Sequence, residues 1–302
     1  MNEIKSAITS LSVLLVLLFP FAANSYSEET GILLTESLQL RIADAFLAEG
    51  EYYRAITEYK KINILFPGTG RGDYVLYSIG MAYLRGEEYE QAIRSFSSLM
   101  ARHSESLYTL QAHYFTGIAS WKLKKYGNAK TEFDFLLDSN ATTEYVPRAL
   151  IAKSLMTFEQ GNVASSMIIL QRFVALYPGH RVMPEAEATI LLLQEYQNLP
   201  EKSKLLAGVL SAIIPGSGHI YAERYADGIT SFLLNALFIA GTVFGVQQEN
   251  YLTASLTGVV GLPFYVGNIY GAANAAKKWN ETVRDTIRNK VSATFQGFLS
   301  GN

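Results

Sequence analysis

The chain has 302 residues, 49% of them hydrophobic, enough for a repeat array with a buried core and a small second domain. Twenty-five basic residues against 27 acidic ones leave a formal net charge of −2, which offers no nucleic-acid surface and no polybasic membrane tether. With no cysteine, disulfides, thiolate metal sites, thiol nucleophiles and a lipid-modified N-terminal cysteine are all excluded.

The first stretch carries Lys5, an apolar run from Leu11 to Phe19, Pro20, and the small residues Ala22, Ala23 and Ser25. A run this short does not comfortably cross a bilayer ~30 Å thick, and small side chains are what a signal peptidase accepts. Residues 1–25 are therefore expected to be a signal peptide that exports the repeat domain.

From about Gly31 to Leu199 the sequence repeats every 37 residues. Ala55, Ala92, Ala129 and Ser166 form one small-residue column, and Ala43, Gly80, Gly117 and Ser154 form another. Tyr59, Phe96, Phe133 and Leu170 form a large apolar column, joined three residues later by Ile62, Leu99, Leu136 and Phe173. Spacings of three and four place these residues on one helix face, with small side chains where two helices approach. Each unit reads as helix A, a tight turn and helix B. Gly50, Gly86 and Gly161 lie at or near the A-to-B turn, and a similar turn follows Lys125. Pro67 and Pro178 stop two B helices, while Pro147 and Pro184 open two A helices, where proline is best tolerated. Residues 184–199, with Glu185 and Glu187 in the first turn, read as an unpaired helix capping four pairs.

These columns resemble the tetratricopeptide repeat over residues 31–199, although the unit has 37 residues instead of 34. The Tyr-Pro-Gly and Phe-Pro-Gly endings are similar to those of repeat proteins of the bacterial envelope. The resemblance implies an all-α helical solenoid over residues 26–199 that binds protein partners. In such a solenoid the A helices line the inner surface. The equivalent positions Tyr74, Gln111 and Arg148, and the equivalent positions Arg85, Lys122 and Glu159, are the expected groove. Trp121 has Leu47, Leu84 and Phe158 as equivalents, so it is read as packing between repeats.

After Leu199 the composition changes to a membrane module over residues 200–273. Residues 229–246 and 252–271 contain no charged side chain, and at ~1.5 Å per residue each is about 27 to 30 Å long, enough to span. Only four polar residues separate them, which requires an antiparallel hairpin. Gly241 and Gly245, and Gly267 and Gly271, place small residues one turn apart for close helix packing or homo-oligomerisation. Asn235 and Asn268 are expected to hydrogen-bond between the helices. The apolar segment 205–221 is broken at Pro215, Gly216, Gly218, His219 and Tyr221, so it is read as a bent span or a re-entrant element. This string resembles the Gly-x-Gly-x-x-Tyr turn of TM2-type hairpin modules, a likeness that implies a shape and no chemistry.

Basic residues collect on the cytoplasmic side, and Arg224, Lys277, Lys278, Arg284, Arg288 and Lys290 flank the spans. Three crossings, with a cytoplasmic C-terminus, reconcile them with an exported repeat domain. In the tail, residues 274–302, Trp279, Val283, Ile287 and Val291 recur every four residues among cations, the pattern of an interfacial amphipathic helix.

No enzyme signature is present. His103, His113, His180 and His219 have no metal-ligand spacing. Neither Gly216-x-Gly218 nor the Gly68–Gly72 stretch has the context of a phosphate loop. No catalytic residue, cofactor or metal is expected. His219, in the membrane-level turn, is the one histidine with a functional alternative. The expected function is a scaffold of the cytoplasmic membrane whose extracytoplasmic repeats bind protein partners. The rival is an oligomeric hairpin that conducts an ion or small solute, for which the spans offer only Asn235, Thr242 and Asn268 as polar lining.

Overall fold

The computed structural model describes residues 33–68, 70–139 and 142–299. The expected signal peptide over 1–25 lies outside the described residues. The described elements are all helices, in two compact units, residues 1–75 and 76–302.

The first unit contains α1 (Glu36–Ala48) and α2 (Tyr52–Leu65). Thr35 caps α1 by accepting a hydrogen bond from the Leu38 amide at 3.2 Å. Ala43 of α1 is buried with Ala55, Tyr59 and Ile62 of α2, the positions the period assigns to the core, and Leu40 and Ile56 join them. Helix α3 (Gly72–Arg85) begins in this unit and continues into the second.

In the second unit, α4 (Tyr89–Arg102) follows α3, α5 (Thr109–Lys122) pairs with α6 (Tyr126–Asp138), and α7 (Tyr145–Glu159) pairs with α8 (Val163–Leu176). Helix α9 (Met183–Gln197) packs on α8 as the unpaired cap. Ala92, Phe96, Leu99, Ala129, Phe133 and Leu136 are fully buried. The small column exists because its partners leave no room. A Cβ on Gly117 would lie 2.6 Å from the Phe133 ring, and one on Gly80 would lie 2.5 Å from the Phe96 ring. Where leucine replaces the aromatic in the last pair, Ser154 fills the space and donates to the Ser166 carbonyl at 3.0 Å.

Gly50, at φ 81°, and Gly161 are the left-handed residues of their A-to-B turns as expected, whereas the other two turns use a residue that carries a side chain. Glu87 and Lys124 adopt φ of 61° and 58°, as Gly161 does at 84°. The turn needs one left-handed residue so that the next amide can reach back to the helix end, and Glu88 N meets Tyr83 O at 2.8 Å while Lys125 N meets Ser120 O at 2.8 Å. A side chain in that conformation costs roughly 1 kcal/mol. Glu87→Gly is therefore expected to stabilise the chain by about 0.5–1 kcal/mol. The measurement is thermal unfolding of the detergent-solubilised protein, and an unchanged or lower midpoint would refute the assignment.

The remaining helices are α10 (Lys204–Ile213), α11 (Ser217–Tyr221), α12 (Tyr225–Gln247), α13 (Tyr251–Thr294) and the short α14 (Gln296–Leu299). Helices α12 and α13 are long and apolar enough to cross a membrane, and their apolar stretches are largely exposed. Two expectations are corrected. First, the stretch 203–221 goes out and back, because Ser203 N donates to the Tyr221 hydroxyl at 3.1 Å and Lys202 Nζ to the Tyr221 carbonyl at 2.8 Å. Its ends meet, so it does not supply a third crossing.

Second, the tail is no separate interfacial helix. It is the second half of α13, a single helix of 44 residues. Between Gly271 and Trp279 there is no glycine or proline, and four alanines and two lysines favour continuation. The stripe expected to face lipid headgroups instead buries Ile287, Val291, Phe295 and Phe298 in a cluster with residues of α7, α8 and α9.

Candidate functional site

The expected groove residues of the second unit do not form one open surface. Tyr74 lies in the first unit, where its hydroxyl bonds Asp44 at 2.8 Å. In the second unit, Arg85 is exposed at the end of α3 and Gln111 is half-buried on α5. Arg148, expected to meet a partner, is 4% exposed. Its guanidinium bonds Glu144 at 3.1 Å and lies 5.4 Å from the centre of the Phe298 ring.

The chain's own C-terminus covers this face. The buried Tyr114 hydroxyl donates to the Leu299 carbonyl at 3.0 Å, and burial raises the tyrosine's pKa, which keeps the proton available for that bond. His180 contacts Phe298 with ring centres 5.4 Å apart. Burial, then the charges of Arg181 and Arg148, lower its pKa and favour the neutral imidazole. Where α13 leaves the module, Asn280 grips the backbone of Lys202 with two hydrogen bonds, of 2.9 and 3.0 Å. Lys202 itself lies 4.2 Å over the Trp279 ring. No local signal in the sequence marks Asn280 as a clamp.

Lys122 and Glu159 remain exposed, on either side of Trp121. The indole N–H donates to the Glu159 carboxylate, while the ring packs against both core clusters of the second unit. These residues border a cavity of about 460 Å³ whose third wall is α13. His113 bonds Glu132 at 2.7 Å and stacks on Phe135.

In the apolar C-terminal segment the broken backbone between α10 and α11 is satisfied from α13. Asn268 accepts from Gly216 N at 2.9 Å and donates to the Ser211 carbonyl at 2.9 Å, and the Tyr265 hydroxyl donates to the Ala212 carbonyl. Gly218 N donates to the Ser211 hydroxyl at 3.0 Å. Backbone groups buried away from water need such partners. Asn235 bonds Ser231 in its own helix, so the expected bond between Asn235 and Asn268 is not made. His219 is 7% exposed and its ring faces Gly271, with its Nδ1 buried and without a hydrogen-bond partner among the described residues. Pro215 is half-buried at the break itself, and Tyr221 closes the loop through its hydroxyl. Gly241 faces Thr257 and Gly245 faces Ala254, whereas Gly267 meets nothing within 4 Å. The close contact of Gly261 with Phe238 completes the hairpin packing and is missed by the one-turn glycine spacing.

Residues 74–106 match the family model of the tetratricopeptide repeat. They cover α3 and α4, the pair whose columns lead into the core of the second unit. Among solved structures, the chain is similar to a tetratricopeptide repeat protein from Parabacteroides merdae, with 14% identity, a TM-score of 0.45, and coverage of 88% of this chain and 99% of that one. No curated protein matches. The fold is all-α, with tetratricopeptide-like helix pairs and two apolar helices near the C-terminus. Its repeats are of the kind that serves as a protein-interaction scaffold.

Proposed function

We propose that the protein is a non-enzymatic scaffold anchored in the cytoplasmic membrane by α12 and α13, with its repeats held outside the cytoplasm to bind a protein partner of the cell envelope. The observation that carries the reading is the continuous α13, which joins an exposed apolar hairpin directly to the repeat core. On α12, Ile229, Leu233, Leu237 and Phe244 are exposed, as are Leu252, Leu256, Val259 and Leu262 on α13. So much exposed apolar surface calls for lipid or a partner.

A hairpin with its C-terminal strut docked on the repeats makes two crossings. The repeats and the C-terminus then share one side, and the tip at Glu249 lies on the other. The cations Arg224, Lys277 and Lys278 gather at the repeat end of the hairpin, where charge bias alone favours the cytoplasm. The leader takes precedence because it acts first during synthesis and a long domain translocates largely regardless of its charge. The rival solute pathway loses support because Gly241 and Gly245 are consumed within the hairpin, leaving Gly267 as the open glycine among those singled out.

Topology reporters after Ser104, at Glu249 and after Asn302 test the arrangement. The outer two are expected to read outside and the tip inside. Opposite sides for Ser104 and Asn302 would sink the two-crossing hairpin, and an inverted pattern would place the repeats in the cytoplasm. Photo-crosslinkers at Arg85 and Lys122 in living cells test the scaffold role, which requires reproducible attachment to one partner.

A further inference from the structure

The C-terminal helix closes much of the repeat face, which raises the question of where a partner can still enter. An open cavity of about 460 Å³ lies in the second unit between α5, α7 and α13. Its size is in the range of built ligand pockets, ~300–1,000 Å³. The floor is apolar, with Trp121, Leu155 and Phe158. The rim is cationic, with Lys122, Lys124 and Arg288. The α13 wall adds Asn289, Ser292 and Gln296.

The charges do not cancel within the site. Glu159 is its one carboxylate, and the Trp121 indole already binds it. Lys122 and Lys124 are exposed, and neither is engaged in an ion pair in the described structure. Arg288 holds Asp285 at 3.1 Å but keeps half of its side-chain surface open. Lys124 is the left-handed residue of the turn after α5, which fixes its backbone at the cavity rim.

We infer that this cavity is the partner site, and that it takes a short acidic segment of a polypeptide, an apolar side chain seated on Trp121 and Phe158 with carboxylates beside it on Lys122, Lys124 and Arg288. The inference rests on the reading of the repeats as a protein-binding arm. An anionic lipid headgroup fits less well. Arg288 lies eleven residues beyond Lys277 on the same unbroken helix, roughly 16 Å further from the apolar stretch. The apolar floor also calls for a side chain and not for a bare anion. Because one wall belongs to the helix that enters the membrane, the site is complete only while the C-terminal strut is docked.

The test uses the full chain in phosphatidylcholine nanodiscs and a labelled peptide, acetyl-Gly-Ser-Phe-Glu-Glu-Ser-amide. Binding is expected to fall at least tenfold when both peptide glutamates become glutamines, and by a similar factor in the Lys122→Glu, Lys124→Glu double variant. Ser292→Trp, which fills the cavity without altering charge, should also abolish binding. Melting curves show whether each variant is folded. Equal binding of the glutamine peptide, an unaffected double variant, or no binding by the unaltered protein would overturn the site. If the peptide fails while Lys122 still crosslinks one partner in cells, the scaffold reading survives and this assignment falls. If both fail, both are wrong.

Discussion

Val291→Asp should release the C-terminal strut from the repeats. Val291 is fully buried among residues of α7, α8 and α9, together with Ile287, Phe295 and Phe298. An aspartate there loses the valine's packing and places a carboxylate in an apolar cluster, a combination that costs about 4 kcal/mol or more. The chain avoids that cost by undocking the segment. At ~1.36 kcal/mol per decade, the undocked fraction rises about a thousandfold. Trypsin then reaches Arg288 and Lys290 quickly in the detergent-solubilised protein, while Val291→Ala, losing only methyl groups, shows an intermediate rate. Unchanged cleavage in the aspartate variant would mean that the strut is not held as described. The same variant should lose the acidic peptide, since α13 forms one wall of that cavity.

The second large effect is expected at the break between α10 and α11. A Cβ on Gly216 would lie 2.0 Å from the Gly228 carbonyl oxygen, and one on Gly218 would lie 1.8 Å from the Ala207 carbonyl oxygen. Both obstacles are backbone atoms, and Gly216 also adopts φ of 86°. The loop cannot slide away without giving up the Asn268 hydrogen bonds that satisfy it. Gly216→Ala and Gly218→Ala should each cost more than about 4 kcal/mol and prevent assembly of the module. Gly267→Ala is the control, because its Cβ would meet nothing within 4 Å. The readout is the yield of monodisperse protein extracted from membranes, with a sharp loss for the first two and none for the third. A normal yield for Gly216→Ala would show that Gly216 and Gly228 do not approach so closely.

The repeat core was legible residue by residue. A helix pair is a local object, and its small and large columns must recur at the same interval because each unit meets the next in the same way. Ala92, Phe96, Ala129 and Phe133 therefore stand in the core where the period puts them. The hairpin was legible for a similar reason, since length, lack of charge and a four-residue tip leave few alternatives. The turns were less so. Glycine marks a left-handed position when it is present, but Glu87 and Lys124 occupy such positions without leaving any compositional trace.

The groove could not be read in the same way. Arg148 is a typical surface cation by its column, yet it is buried beneath Phe298, 150 residues further on. The broken segment posed a similar problem, because whether it crosses or returns depends on Tyr221 meeting Ser203 and on Asn268 reaching Gly216. Local periodicity and composition were sufficient for the helices, their faces and the apolar hairpin, since those depend on contacts between near neighbours in the chain. The destination of the amphipathic strut was a tertiary matter. An apolar stripe records only that it must leave water, and hydrophobic burial has no direction that would choose a lipid surface over α7, α8 and α9.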